Sequence, residues 1–218
     1  MTEAIKTPPS ATRVTRTTRE TRVEVELGGA ARITVPVPFF GHLLDACMTT
    51  WGVPVMVEAS GDVAVDPHHL VEDTGLVLGR AIRARWPSYR DIARYGWAIV
   101  PMDEARVEVA VDLSGRTGSW LAAVPTGPIN GLDSEVLEEF WPALARGGQL
   151  TVHMQMQAGK NRHHQWEAAF KALGLALRMA TAVRPGLLST KGTVEEMSEK
   201  MSEDASEGPR DGTGRDAS

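Results

Sequence analysis

The six histidines of the chain fall in a pattern that indicates metal binding. They are His42, His68, His69, His153, His163 and His164. Four of them form two adjacent pairs, and in each pair a glutamate follows the first histidine by four residues. A lone histidine is more often a surface or core residue than a ligand, whereas two such pairs in one chain favour a metal site.

Helical geometry explains why this spacing suits chelation. The pairs with i, i+4 spacing are His68 with Glu72 and His163 with Glu167. Residues at this spacing project from one face of a helix, so each pair can bind one ion. Adjacent helical residues point about 100° apart, so His69 and His164 should reach a different ion from their neighbours. Six imidazoles and two carboxylates then divide into two sets of three histidines and one glutamate.

Four protein ligands on an octahedral ion leave two positions open, which indicates catalysis rather than a structural site. Nitrogen and oxygen ligands without thiolate are compatible with manganese, iron, cobalt or zinc, so the ligand types leave the metal open. Asp73 lies four residues after His69. It either orients an imidazole by hydrogen bonding or is an ordinary solvent-facing helix charge.

The first half of the chain supplies elements to carry these residues. Alternating apolar and polar residues predict strands in 15–27 and 31–37, and FFGHLLDACMTTWG has helical spacing. The segments VPVMVEAS and VAVD flank Gly61-Asp62 and are interpreted as a hairpin. A helix follows, with Asp66 as its N-cap and Pro67 at its first position.

The second half repeats this order. Strands are predicted in 97–112, in 119–124 and around LTVHMQMQ, with helices over 134–146 and 162–183, the latter capped by Asn161. Each half ends in a helix that opens with paired histidines, which indicates an internal duplication. We therefore expect an α+β fold of two similar half-domains, each a β-sheet with two α-helices packed on one face.

Composition predicts the domain boundaries and the cellular location. We expect a disordered N-terminal tail over 1–11, half-domains over 12–92 and 93–194, and a disordered acidic tail over 195–218. Hydrophobic residues make up 42% of the chain, enough for a core, and no run of eighteen apolar residues indicates a membrane span. The net charge of -5 argues against a nucleic-acid partner. The single Cys47 fits a reducing compartment, so the expected location is the cytoplasm.

Motifs along most of the chain resemble one enzyme family. In order they are FFGHLLD, DPHHLVEDTGLVLG, RYG followed by VPMDEA, DLSGR, HHQWEAAFKAL and STKG. Between about Arg16 and Gly192 they resemble imidazoleglycerol-phosphate dehydratase, an enzyme of histidine biosynthesis. The resemblance implies two manganese ions and a homo-oligomeric shell of 24 subunits, in which the metal sites are completed between subunits.

The resemblance also assigns roles to residues. One ion would be held by His68, Glu72, His153 and His164, and the other by His42, His69, His163 and Glu167. The substrate phosphate would be bound by Arg94, Arg116, Lys171, Ser189 and Lys191, whose guanidinium, ammonium and hydroxyl groups suit phosphate oxygens. Glu20, in the stretch RTTRETRV, matches an Arg-x-Thr-x-Glu-Thr pattern and is the candidate catalytic base.

The implied reaction removes water from D-erythro-imidazole glycerol phosphate to give imidazole acetol phosphate. The carbon-bound proton is not acidic, so the imidazole ring must supply the electron push, and metal ions on both ring nitrogens would favour the imidazolate form that can expel a hydroxyl group. The hydroxyl group next to the ring then leaves, and a base removes the neighbouring proton. The chain would thus be a hydro-lyase that binds a small phosphorylated imidazole.

Three positions depart from the family's usual residues. Gly41 stands where an aspartate is usual, Trp51-Gly52 where a histidine-glycine pair is usual, and Leu70 where a threonine is usual. These changes motivate an alternative, a paralogous dehydratase that acts on a related phosphorylated polyol outside histidine biosynthesis. A non-catalytic metal-binding shell and a generic dinuclear hydrolase are further alternatives. A metal store would need neither Glu20 nor the phosphate-binding residues.

Overall fold

The computed structural model describes residues 11–184, apart from the side chain of Ser88. The C-terminal tail predicted over 195–218 lies outside this range, as do residues 1–10 of the predicted N-terminal tail. The first part contains the elements β1 (Thr12–Thr17), β2 (Thr21–Leu27), β3 (Arg32–Thr34), α1 (Pro38–Trp51), β4 (Val55–Gly61) and α2 (His68–Arg85). A short 3-10 turn over Pro87–Tyr89 leads into the second part.

The second part has the same order of elements with one added hairpin. Its elements are β5 (Tyr95–Met102), β6 (Ala105–Asp112), β7 (Gly118–Ala122), β8 (Pro128–Ile129), β9 (Leu132–Asp133), α3 (Ser134–Glu138), α4 (Phe140–Gly148), β10 (Thr151–Ala158) and α5 (Arg162–Ala180). The predicted helix over 134–146 is therefore divided at Glu139 into α3 and α4.

The two large sheets share one topology. The first has the strand order β1-β2-β4-β3 and the second β5-β6-β10-β7. In both, the first three strands are antiparallel and the last strand runs parallel to its neighbour. This equivalence agrees with the internal duplication expected from the paired histidines, and it confirms the α+β prediction.

The helices form the centre of the molecule. Helices α1 and α2 pack on the first sheet, α4 and α5 pack on the second, and the pairs α1 with α5 and α2 with α4 join the two halves. Alternate strand residues such as Val23, Val25, Val152 and Met154 are buried against the helices, so one hydrophobic core extends between the sheets. Within the described residues no helix is long and apolar enough to cross a membrane.

Local sequence signals set the helix starts that matter for the site. Asp66 Oδ1 accepts a hydrogen bond from the His68 N–H at 2.8 Å, and Asn161 Oδ1 accepts one from the His163 N–H at 2.9 Å. Asn161 is thus confirmed as the N-cap of α5, whereas α2 begins at His68 with Pro67 as its N-cap, and Asp66, one residue earlier, accepts the His68 N–H. The caps place each histidine pair in the first turn of its helix.

Three strand predictions were wrong. The segment 97–112 forms two antiparallel strands, β5 and β6, separated by a turn at residues 103–104. The segment 15–27 is not one strand, because Thr18 Oγ1 accepts the backbone N–H groups of Glu20 and Thr21 and closes a turn that separates β1 from β2. The segment VAVD does not pair with β4. That strand already lies between β2 and β3, so neither of its edges can accept a hairpin partner, and residues 63–65 form turns instead.

Candidate metal centre

Helices α1 and α5 bring three of the predicted ligands together. His163 Nε2 lies 3.0 Å from Glu167 Oε2 on the same face of α5, and His42 Nε2 of α1 lies 2.9 Å from the same oxygen. One ligand atom from each of the three residues lies within 4.8 Å of the other two. Two imidazole nitrogens and a carboxylate oxygen at this separation suit a divalent transition metal, so these residues fit such an ion.

The cluster is open to solvent on its histidine side. The His42 and His163 side chains are 48% and 38% exposed, whereas Glu167 is 9% exposed. Phe39 packs against both imidazoles, with ring centroids 5.1 Å from His163 and 6.4 Å from His42. The carboxylate is thus fixed in the protein while the imidazole edges can meet further ligands.

Charge keeps the Glu167 carboxylate ionised. Burial raises the pKa of Glu167, but hydrogen bonds from Lys171 and His42 outweigh burial and lower its pKa to about 2. Lys171 Nζ lies 2.7 Å from Glu167 Oε1, the oxygen that faces away from the histidines. Lys171, predicted to bind phosphate, therefore pairs with the carboxylate of the candidate metal cluster in this structure.

Asn130 is a site residue that the sequence analysis missed. Its side-chain amide lies 3.1 Å from His163 Nδ1, on the ring edge opposite Glu167. A partner on that nitrogen fixes the orientation and tautomer of a metal-binding imidazole. Asn130 and Gly131 have positive φ and form the turn between β8 and β9, so the Asn-Gly dipeptide was the available sequence signal.

The start of α2 brings His69 to the candidate base. His69 Nδ1 lies 3.1 Å from Glu20 Oε2, which comes from the turn between β1 and β2. A hollow of about 110 Å³ lies beside them and is also lined by Asp66 and Leu70. The rings of His68 and His69 lie in T-shaped contact, with their centroids 5.5 Å apart. Glu20 and one predicted ligand therefore meet within a single chain.

The second histidine of α5 has acidic partners of its own. His164 Nδ1 lies 2.7 Å from Glu104 Oε2, and this hydrogen bond raises the pKa of His164. The same bond, with backbone N–H groups of Asn161 and Lys160, lowers the pKa of Glu104 to about 2. Glu104 lies in the turn between β5 and β6, and no role was predicted for it individually. His163 and His164 therefore have different carboxylate partners, Glu167 for His163 and Glu104 for His164.

The other predicted ligands do not meet in the single chain. His153 faces outward from β10 and stacks on Trp120 at a centroid distance of 4.7 Å. Glu72 Oε1 binds Arg146 Nη2 of α4 at 2.5 Å. The set of His68, Glu72, His153 and His164 thus stays a prediction, and in this chain its members have other partners.

Two of the predicted phosphate-binding residues share one carboxylate. Arg94 Nε lies 2.7 Å from Asp112 Oδ1, and Arg116 Nη2 lies 3.3 Å from Asp112 Oδ2. The Arg116 side chain is 73% exposed and can reach a ligand. Ser189 and Lys191 lie outside the described residues.

Asp73 has neither of the two roles considered from the sequence, orienting an imidazole or facing solvent. It is 6% exposed, so it is not a solvent-facing charge, and its Oδ2 binds Arg16 Nη1 at 2.5 Å together with the Thr21 hydroxyl. The helix face that carries Asp73 packs against β1 and β2, which accounts for the difference. Asp73 is thus a buried link between α2 and the hairpin that carries Glu20.

The three departures from the family pattern lie in different surroundings. Trp51 is buried at the end of α1, where its Nε1–H donates to Thr181 Oγ1 at 3.1 Å. At Gly41 an added Cβ would come within 2.9 Å of Val35, so a larger residue would require a shift. Leu70 is buried and lines the hollow beside Glu20 and His69. Of the three, Leu70 is the one that contributes to this hollow.

Comparison with known proteins agrees with these features. A family model described as imidazoleglycerol-phosphate dehydratase matches residues 35–177. The imidazoleglycerol-phosphate dehydratase of Anaeromyxobacter dehalogenans is 45% identical over 204 residues, which cover 88% of this chain and 98% of that protein. The one from Lacticaseibacillus casei is 41% identical and covers 83% of this chain and 97% of that protein.

Solved structures of this kind have the same fold. The enzyme from Pyrococcus furiosus is similar with a TM-score of 0.77 and 39% identity, over 83% of this chain and 100% of that one. The enzyme from Staphylococcus aureus gives a TM-score of 0.71 and 30% identity, over 79% of this chain and 99% of that one. With the matched family model and these relatives, the chain belongs to the imidazoleglycerol-phosphate dehydratase family of hydro-lyases.

Proposed function

We propose that this chain dehydrates D-erythro-imidazole glycerol phosphate to imidazole acetol phosphate, with two manganese ions, in histidine biosynthesis. The observation that carries the proposal is the convergence of His42, His163 and Glu167 on one point that is open to solvent. The placement of Glu20 against His69 beside a hollow supports it. Bound metal would supply Lewis-acid chemistry that favours deprotonation of the imidazole ring, so that the ring can push electrons toward the departing hydroxyl group.

The chain's own residues then have distinct tasks. One ion would be held by His42, His69, His163 and Glu167. Lys171 keeps the Glu167 carboxylate ionised. Glu20 would accept the carbon-bound proton, because its exposed carboxylate lines the hollow beside His69. Arg94 and Arg116, joined through Asp112, would bind the substrate phosphate, with Lys171, Ser189 and Lys191 contributing further positive charge and a hydroxyl group.

We propose further that the second ion, with His68, Glu72, His153 and His164, is held between copies of the chain. The strand alternation of β10 places Val152 and Met154 in the core, so His153 points away from the helices that carry the other predicted ligands. A ligand from a second subunit on that face is therefore the simplest way to complete the set. A shell of 24 subunits, acting in the cytoplasm, is the proposed assembly.

A paralogous function is the second candidate, and Leu70 is the observation that favours it. An isobutyl group in the wall of the hollow presents no hydrogen bond, so a substrate less polar than imidazole glycerol phosphate would fit there. The shared chemistry of the two candidates is metal-assisted loss of water from a phosphorylated polyol.

The assay that separates these functions uses the full chain purified with manganese. We expect imidazole acetol phosphate to form from D-erythro-imidazole glycerol phosphate, and activity to be lost on chelation and restored by manganese. No turnover by metal-loaded protein would contradict the main proposal. Faster dehydration of another phosphorylated polyol would establish the paralogous function instead.

A further inference from the structure

A chain of hydroxyl groups joins the turn that carries Glu20 to the buried Asp73. Thr18 Oγ1 accepts the backbone N–H of Glu20 at 3.1 Å and that of Thr21 at 2.9 Å. The same oxygen lies 3.1 Å from Thr21 Oγ1, which in turn binds Asp73 Oδ2. Asp73 also binds Arg16 of β1, so both ends of the β1–β2 turn are tied to one residue of α2.

The direction of each hydrogen bond follows from the carboxylate. An ionised aspartate accepts and does not donate, so the Thr21 hydroxyl must donate its proton to Asp73. The Thr18 hydroxyl therefore donates within the turn, to Thr21 Oγ1 or to the Thr21 carbonyl at 3.3 Å. The lone pairs of Thr18 Oγ1 remain for the two backbone N–H groups. This arrangement defines one conformation for the turn.

That conformation determines where Glu20 can act. Asp73 follows His69 by one helical turn on α2, so the same rigid helix holds the imidazole and anchors the turn that bears Glu20. The Glu20 side chain is 62% exposed, and its backbone carbonyl accepts the Asp62 N–H at 3.2 Å. Because few contacts restrain the carboxylate itself, its position relative to His69 depends on the backbone of the turn.

We propose that Thr18, Thr21 and Asp73 are positioning residues that hold Glu20 in reach of the substrate proton. The inference rests on the proposed role of Glu20 as the base. A proton transfer needs its donor and acceptor within hydrogen-bond distance, and a displacement of about 1 Å can cost about 100-fold in rate. Removal of the Thr18 or Thr21 hydroxyl group should therefore lower the rate of the chemical step without changing metal or substrate binding.

The matched test compares Thr21→Val with Thr21→Ser. Valine has nearly the shape of threonine but neither donates to Asp73 nor accepts from Thr18, whereas serine does both. We expect Thr21→Val to lower kcat by about 10- to 100-fold with KM and manganese content within twofold of the parent. Thr21→Ser should keep most of the activity. Thr18→Ala and Thr18→Ser form a second pair in an exposed turn, where loss of folding is not expected.

Combination with Glu20→Gln shows whether the network acts through Glu20. Glu20→Gln alone should lower kcat by about 10²- to 10⁴-fold, and adding Thr21→Val should then change the residual rate by less than twofold. Wild-type kcat in both Thr21→Val and Thr18→Ala, or an equal further loss in the Glu20→Gln background, would overturn the positioning role. Full activity of Glu20→Gln would instead remove Glu20 as the base, a separate failure of the proposed function.

Discussion

At the scale of single residues, the candidate metal cluster depends most on the side chain of Glu167. It joins α5 to α1 through His42, and on its own helix it contacts His163 and forms an ion pair with Lys171. Its carboxylate is buried and charged, which costs free energy that is recovered through these three partners. Loss of the negative charge should therefore lower the affinity for metal before it changes other properties.

Glu167→Gln tests this point. The amide keeps the shape but replaces the carboxylate charge with a neutral oxygen, so we expect manganese affinity at this site to fall by at least about 100-fold. Metal content after dialysis, measured by elemental analysis, is the readout. Glu135→Gln, an exposed carboxylate of α3, should retain its metal and serves as the control. Equal metal content in the two variants would exclude Glu167 as a ligand.

At the scale of elements, the histidine-bearing helices are positioned by glycines that allow helix backbones to touch. An added Cβ at Gly79 of α2 would overlap the Leu144 carbonyl and the Gly148 nitrogen of α4. At Gly174 of α5 a Cβ would overlap the Cys47 carbonyl of α1. The closeness of α1 to α5 is what lets His42 reach Glu167, so packing in the core determines geometry in the site.

Gly79→Ala should destabilise the protein although alanine favours helix. The intrinsic gain of about 1 kcal/mol is smaller than the cost of separating two rigid backbones, so we expect a net loss of about 2 kcal/mol. Chemical denaturation measures the change. Arg80→Ala, the next residue on the exposed side of α2, should change stability by less than about 0.5 kcal/mol. A Gly79→Ala variant as stable as its parent would mean that α2 and α4 are farther apart.

At the scale of the whole molecule, the outer faces of the two sheets differ in chemistry. The first sheet presents ion pairs such as Arg13 with Glu24 and Glu26. The second presents a row of register neighbours across its four strands, namely Trp97, Ala110, His153 and Trp120. Both tryptophans are more than half exposed, and a depression of about 470 Å³ lies beside His153. Such an apolar surface around a predicted ligand is typical of a subunit contact.

Trp97→Lys should therefore weaken the proposed assembly. A buried tryptophan at a subunit contact commonly contributes 2 kcal/mol or more, so each contact should weaken by about 30-fold or more. Light scattering after gel filtration gives the mass, and the activity should fall with it. Thr15→Lys, which adds the same charge to the outer face of the first sheet, is the control. Unchanged mass in Trp97→Lys would show that this face is not a contact.

Much of the fold could be predicted from the sequence because its signals are local. The helix-start hydrogen bonds of Asp66 and Asn161, the alternation in β2 and β10, and the repeated order of elements all depend on neighbours within a few residues. The i, i+4 spacing likewise predicted the contact of His163 with Glu167. The hairpin predicted around Gly61-Asp62 was wrong because the pairing of β4 is decided by β2 and β3, which no local pattern reveals.

By itself the sequence determined which residues could hold metal, the two-part α+β architecture and the family. Only the tertiary structure decided which ligands meet. His42 lies against His163 and Glu167, whereas Glu72 forms an ion pair with Arg146 and His153 faces outward. The tertiary structure also replaced both expectations for Asp73 with a buried link to Thr21 and Arg16. The physical reason is that helical and strand periodicity set the direction of a side chain, while packing between distant elements sets what that side chain reaches.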